Sequence, residues 1–139
     1  MKITLFSVGK TKEVWLEEAV HEYVKRLSPV VRFEFCWFRD AAALETALSK
    51  EKLVILLDSN GKMMTSEEFG HFVFHALEKL GAHIAFAIGG PEGFSQTLKE
   101  QFPRISLSRM TFTHQLSRLI LMEQLYRIFE IRKGSKYHK

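Results

Sequence analysis

Two five-residue stretches, Leu53–Leu57 (LVILL) and Ile84–Ile88 (IAFAI), carry no polar side chain at all. Runs of that length and character fit strands covered on both faces, as in the middle of a parallel sheet. Such strands need helices above and below them, which constrains the chain to a layered α/β domain. The flanking patterns agree. Ile3, Leu5, Phe6 and Val8 form a strand that stops at Gly9, and Val31, Phe33, Phe35 and Trp37 alternate with Arg32, Glu34 and Cys36. Ile105 to Leu107 is a last short strand. Between them, Val14, Leu16, Ala19, Val20, Tyr23, Val24 and Leu27 recur at helical spacing up to Pro29. Residues 40–50 read as a short Ala/Leu helix, and Ser66 opens a helix striped by Phe69, Phe72, Val73, Ala76, Leu77 and Leu80. A brief helix near 95–101 and a long one from about His114 to Arg132 follow. At 139 residues the whole chain, 1–139, is expected to be one α/β domain with a mostly parallel sheet flanked by helices.

Composition narrows the function classes. Twenty Lys and Arg against sixteen Asp and Glu give +4, which permits a nucleic-acid partner without establishing one. Cys36 is the single cysteine, so neither an intrachain disulfide nor an all-thiolate metal site can form. Residues 1–8 lack a cleavage-like site and read as a strand, not a signal peptide. No stretch approaches the roughly 20 apolar residues of a membrane span, so a soluble, cytoplasmic protein is expected. His71 and His75 have a zinc-compatible spacing, but they lie opposite the apolar stripe and lack the glutamate of the metalloprotease motif. They read as a solvated face, and no metal is expected.

The ends of three strands draw attention. Leu57-Asp58 leads into Ser59-Asn60-Gly61, a turn composition; Ile88 leads into Gly89-Gly90-Pro91-Glu92-Gly93; and the last strand ends in Ser106-Leu107-Ser108-Arg109-Met110-Thr111. In open α/β sheets ligands bind beyond the carboxyl ends of the strands. The glycines match neither the dinucleotide fingerprint nor a P-loop, which leaves a ligand held by backbone contacts and apolar packing. The long final helix carries Leu121, Met122, Leu125, Ile128 and Phe129 on one side and Leu116, Leu119, Ile120 and Ile131 on much of the other. A helix apolar nearly all round is covered on both sides, either within a monomer core or by a second copy of the chain. Glu123 and Arg127 have the spacing of an ion pair. The segment from Arg132 to Lys139 combines cations with Tyr137 and His138, and is either a frayed basic tail or a surface for RNA phosphates and bases.

These segments together resemble one family. MKITLFSVGKTK, LLDSNGKMMTSEEF, AIGGPEGF and SLSRMTFTHQLSRLILMEQLYRIFEIRKGSKYHK are similar to the ribosomal large subunit methyltransferase H family, the smallest of the SPOUT-class methyltransferases. Residues 39–51 are shorter here than the corresponding family stretch. The resemblance implies a SPOUT fold with a carboxy-terminal trefoil knot, a homodimer, and S-adenosylmethionine as methyl donor. It implies methylation of N3 of a pseudouridine in 23S rRNA, on the assembled large ribosomal subunit. Carried over by position, it implies a cofactor site of Leu57, Gly89, Leu107, Ser108, Arg109, Met110, Thr111 and Phe112. Glycines at 89 and 90 would let the main chain lie against the ligand.

An imide nitrogen is a poor nucleophile until its proton leaves, so a base or an environment favouring the anion should assist. His138 is the candidate base, with Tyr137 to stack on or position the nucleobase and Arg132 and Lys136 on phosphates. His114 is the rival base or a structural residue, and Arg118 an RNA contact or an interfacial charge. If a dimer buries the final helix, the tail of one subunit could reach the cofactor of the other. Two further classes stay open: a SPOUT enzyme acting on a ribose 2′-hydroxyl, and a non-catalytic ribosome-binding factor.

Overall fold

The apolar runs become the middle of a five-stranded, all-parallel sheet. The computed structural model describes residues 1–139 and runs β1 (Lys2–Val8), α1 (Val14–Leu27), β2 (Arg32–Phe38), α2 (Ala41–Leu48), β3 (Ile55–Met63), α3 (Ser66–Lys79), β4 (His83–Ile88), α4 (Gln96–Gln101), β5 (Arg104–Ser106) and α5 (His114–Lys133). The strand order is β2-β1-β4-β3-β5, and every neighbouring pair is parallel.

Each face of the sheet has its own core. Ile3, Leu5, Ile55, Ile84, Phe86 and Ile88 pack under α1, α3 and α5, while Phe6, Leu56, Ala85 and Ala87 pack under α2 and α4 with Phe94 and Phe102. The connections explain that division. The β1→β2 and β3→β4 crossovers step in one direction along the sheet with their helices on one face. The β2→β3 and β4→β5 crossovers step the other way with their helices on the opposite face. Constant handedness of parallel crossovers demands this alternation. After β5, at the sheet edge, the chain changes face: α5 packs against α1 and α3. Residues 107–113 therefore cross the carboxyl ends of the strands.

Local chemistry sets the helix ends. Thr65 and Glu68 form a reciprocal capping box on α3, Thr113 caps α5, and Gly134 closes α5 in the left-handed conformation at φ 77°.

The chain does not turn at Asp58-Ser59-Asn60-Gly61. β3 continues to Met63, and both Leu57 and Lys62 lie opposite Ile105 on β5, so the polar residues between them bulge out of the ladder. Asp58 anchors the bulge, accepting from the backbone N–H of Asn60 at 3.0 Å and from Arg104 at 3.1 Å. Gly61 permits it: a Cβ there would lie 2.7 Å from the backbone of Ile105.

Arg118 is also not where an RNA contact would be. It is 1% exposed beneath α5. Its guanidinium donates to Ser7 Oγ, Thr11 Oγ1, Gln115 Oε1 and the carbonyls of Val8 and Gly9, and stacks 4.3 Å from the Trp37 ring. Burial pulls its pKa down to about 10, which leaves it charged at neutral pH. With all its donors used inside its own chain, it ties the β1–α1 loop to α5. It is a structural pin, not an RNA or interfacial contact.

Candidate active site

The strand ends and the chain that crosses them enclose a cleft of about 570 Å³, a volume typical of small-molecule sites. Leu57, Asp58 and Ser59 form one side and Ile88 to Pro91 with Gly93 and Phe94 another. Ser106 to Ser108 and Met110 to His114 roof it, and Ser117 completes it. Leu57, Gly89, Leu107, Ser108, Met110, Thr111 and Phe112 thus come together as expected from sequence position. Arg109 is exposed and does not line the cleft. Leu57, Ile88, Phe94, Met110 and Phe112 supply apolar wall, and the rest of the lining is rich in backbone and hydroxyl groups.

The glycine loop is held by its own geometry. The Gly93 N–H donates to the Gly90 carbonyl at 3.0 Å, and Gly93 sits at φ 74°. A Cβ on Gly89 would stand 3.3 Å from the Gly93 backbone and 3.4 Å from the Phe94 ring. Glycine at 89 therefore serves the loop's closure on itself, whereas a Cβ on Gly90 would find only Val8, at 3.9 Å.

One titratable base borders the cleft at the start of α5. Burial, followed by the charges of Arg118 and Lys12, lowers the pKa of His114 below its ordinary value, which favours the neutral imidazole. Asp58, also in the wall, is held below the usual carboxylate range: burial opposes this, and the Asn60 N–H, Arg104 and Lys99 outweigh it.

The tail residues lie elsewhere. Tyr137 and His138 fold back on the far half of α5 and are neither frayed nor in the cleft. The Tyr137 hydroxyl donates to Glu123 Oε1 at 3.0 Å, and its ring meets Tyr126 edge to face, centroids 4.8 Å apart. The Arg127 guanidinium lies 4.9 Å from the Tyr137 centroid. His138 Nδ1 is 3.0 Å from Arg127 Nη1, and Nε2 contacts the carboxylate of Glu67 on α3. His114 and Arg127 are separated along α5 by about 20 Å at the helical rise. Within one chain the tail and the cleft therefore stay apart. Arg132 and Lys136 are exposed near the tail, Arg132 stacked 4.5 Å over the Phe74 ring. No group of three or more His, Cys, Asp or Glu side chains is placed to hold a metal ion.

A family model described as "Predicted SPOUT methyltransferase" matches residues 1–138. The ribosomal RNA large subunit methyltransferase H of Protochlamydia amoebophila (strain UWE25) is 48% identical over 139 residues, covering 100% of this chain and 99% of that protein. Its counterpart in Coprothermobacter proteolyticus is 42% identical over 140 residues, covering both chains completely. The chain belongs to the ribosomal RNA large subunit methyltransferase H family of SPOUT methyltransferases. A solved structure described as a "probable methylase family protein" from Haemophilus influenzae Rd KW20 shares the fold, with a TM-score of 0.57 at 12% identity over 99% of this chain and 70% of that one.

In this SPOUT methyltransferase the cleft walls were legible from strand ends and motif positions. Phe94, Thr113 and Ser117 were not, because only the folding of the glycine loop and of residues 107–113 over the strand ends brings them in.

Proposed function

We propose that this chain is an S-adenosylmethionine-dependent methyltransferase that methylates N3 of a pseudouridine in 23S rRNA, acting as a homodimer on the assembled large ribosomal subunit in the cytoplasm. The observation that carries the reading is the cleft at the carboxyl ends of β3, β4 and β5, on a chain of this family. Its residues fit the cofactor. A 570 Å³ space with apolar walls at Leu57, Ile88, Met110 and Phe112, edged by main chain, suits the uncharged adenine and ribose of that cofactor. Bound there, S-adenosylmethionine supplies an activated methyl group on its sulfonium and needs no metal to do so. The family membership also carries the expectation of a trefoil knot, for which the passage of the chain from β5 across the strand ends to α5 is the relevant segment.

The homodimer reading rests on uncovered apolar surface. Val14 and Trp15 on α1 are 68% and 60% exposed, and Leu116 on α5 is 36% exposed. Leu116, Ile120, Glu123 and Arg127 recur at helical spacing on the outer face of α5, away from the buried Leu121, Met122, Leu125 and Ile128. A twofold pairing that runs two copies of α5 in opposite directions would set the tail of one subunit beside the cleft of the other. The chain's own residues then divide the work. The loops at 57–59, 89–94 and 106–113 bind the donor and exclude water. Tyr137 and His138 meet the nucleobase, Arg132 and Lys136 meet phosphates, and the paired site aligns N3 with the methyl carbon.

Two measurements test this together. Calorimetry with S-adenosylmethionine should show binding that is lost when the cleft is filled. Mass mapping of 23S rRNA after incubation with large subunits should show one added methyl on N3 of a pseudouridine. A methyl on a ribose oxygen, or no cofactor binding, would defeat the reading.

A further inference from the structure

The tail is held by a closed ring of polar contacts that determines what His138 can do. Glu123 is the hub. Its Oε1 accepts from Arg127 Nε at 3.1 Å, Arg127 Nη2 at 2.7 Å and the Tyr137 hydroxyl at 3.0 Å, while Oε2 accepts from Gln124 at 2.7 Å. Gln124 in turn accepts from Ser66 Oγ at 2.7 Å, at the start of α3. Arg127, clamped by Glu123, reaches His138 Nδ1 at 3.0 Å, and His138 Nε2 returns to α3 at Glu67. The ring therefore closes through two adjacent residues of α3.

A guanidinium has only donors, so the atom it faces must carry a lone pair. That atom is Nδ1, which places the single ring proton of His138 on Nε2. The partner of Nε2 is a carboxylate, which can only accept when ionised, so both contacts require the same tautomer. A protonated imidazole would set an Nδ1–H against Arg127.

We propose that Glu123 and Arg127 are positioning residues that hold His138 as the neutral Nε2–H tautomer, so that its imidazole serves methyl transfer as a hydrogen-bond donor to a carbonyl oxygen of the target uracil ring, not as the base. This rests on the functional reading above. When N3 gives up its proton to water, the electron pair left behind spreads onto the flanking carbonyl oxygens until N3 bonds the methyl carbon, the methyl–sulfur bond breaking with its electron pair left on the thioether. A fixed donor at one of them stabilises the anion as it forms. Glu67 holds the place of that oxygen in the free subunit. Tyr137, whose hydroxyl proton is committed to Glu123, offers the nucleobase its ring. The charged and titratable groups that contact this imidazole and its clamp are Arg127, Glu67, Glu123 and Tyr137.

Nitrogen-15 NMR of the imidazole in the free protein reads the tautomer without any turnover. It should report an Nε2–H form, shifting toward a tautomer mixture in Arg127→Met and less so in Arg127→Lys; an Nδ1–H form in the wild type would overturn the proposal. Single-turnover methylation of the large subunit reads the role. His138→Ala should lose about 10²–10³-fold, the usual effect of removing one such donor. His138→Gln puts an amide N–H near the position of Nε2 and has no basic nitrogen, so it should stay within about tenfold of the wild type. The pH–rate profile of His138→Gln should keep the shape of the wild-type profile. Equal loss in the Gln and Ala variants, with S-adenosylmethionine binding intact, would make His138 the base and defeat the donor role alone. A wild-type protein that places no methyl on N3 would defeat the functional reading and this inference with it.

Discussion

The two ends of α5 differ in kind. At its start, near His114, the chain builds a cavity with apolar walls and main-chain edges, and little reactive side-chain chemistry. At its far end Glu123, Arg127, Tyr137 and His138 form a dense polar network. One end can hold a small molecule, and the other can orient a nucleobase. About 20 Å of helix separates them. The proposed reaction draws on both ends and is therefore proposed as a reaction of two chains.

The strongest way to break that division is to remove one side of it. Deleting Tyr137-His138-Lys139 should lower single-turnover methylation by about 10²–10⁴-fold. S-adenosylmethionine affinity, read by calorimetry, should be unchanged. Mixing such a tail-less subunit with one whose cleft is filled should restore activity, because one of the two pairings regains a whole tail over a whole cleft. No recovery in mixed dimers would put the tail and cleft back on one subunit.

Pairing itself is next. Trp15→Glu combined with Leu116→Glu should yield monomers by light scattering, with cofactor binding reduced far less than methyl transfer. Arg118→Ala probes the cleft end through its scaffold. It strands the Val8 and Gly9 carbonyls and the Ser7 hydroxyl, and should cost about 3 kcal/mol in denaturant unfolding. Arg118→Lys should recover only part, since one ammonium cannot reach five acceptors. Gly61→Ala should cost about 1–3 kcal/mol, because the new methyl meets the Ile105 backbone and the β3–β5 ladder must shift.

The smallest effect concerns the tail end and pH. Burial first, and then the Glu123 contact, push the Tyr137 pKa up to about 12. The folded pKa lies above the ordinary value near 10, so this contact's contribution is complete below about pH 10 and is lost as pH rises toward 12. Tyrosinate absorbance should show the Tyr137 phenol titrating late, and Glu123→Gln should move it earlier.

The layered α/β architecture was readable because LVILL and IAFAI have nowhere to go but the sheet centre. The bulge in β3 was not. Asp-Ser-Asn-Gly has the composition of a turn, and what keeps it extended is Arg104 on another strand and the close passage of Ile105. Arg118 misled in the same way. A lone arginine on a helix reads as solvent-facing until Ser7, Val8 and Gly9, over a hundred residues earlier, supply its acceptors. The basic tail reads as mobile for want of apolar residues, yet Glu123 and Tyr126 retain it. In each case a distant polar partner decides, and a periodicity of apolar residues carries no trace of it.

The pairing of β1 with β4 sets a timetable for the nascent chain. Lys2 lies opposite His83, so the first strand cannot take its place between β2 and β4 until more than half the polypeptide has been made. The loop that follows it stays unpinned until Arg118 emerges from the exit tunnel. With such non-local pairing, folding is slow relative to a helical bundle of this size. Completion of the cleft thus comes after the synthesis of the first strands that shape it, because residues 106–117 are the last of its lining to be made.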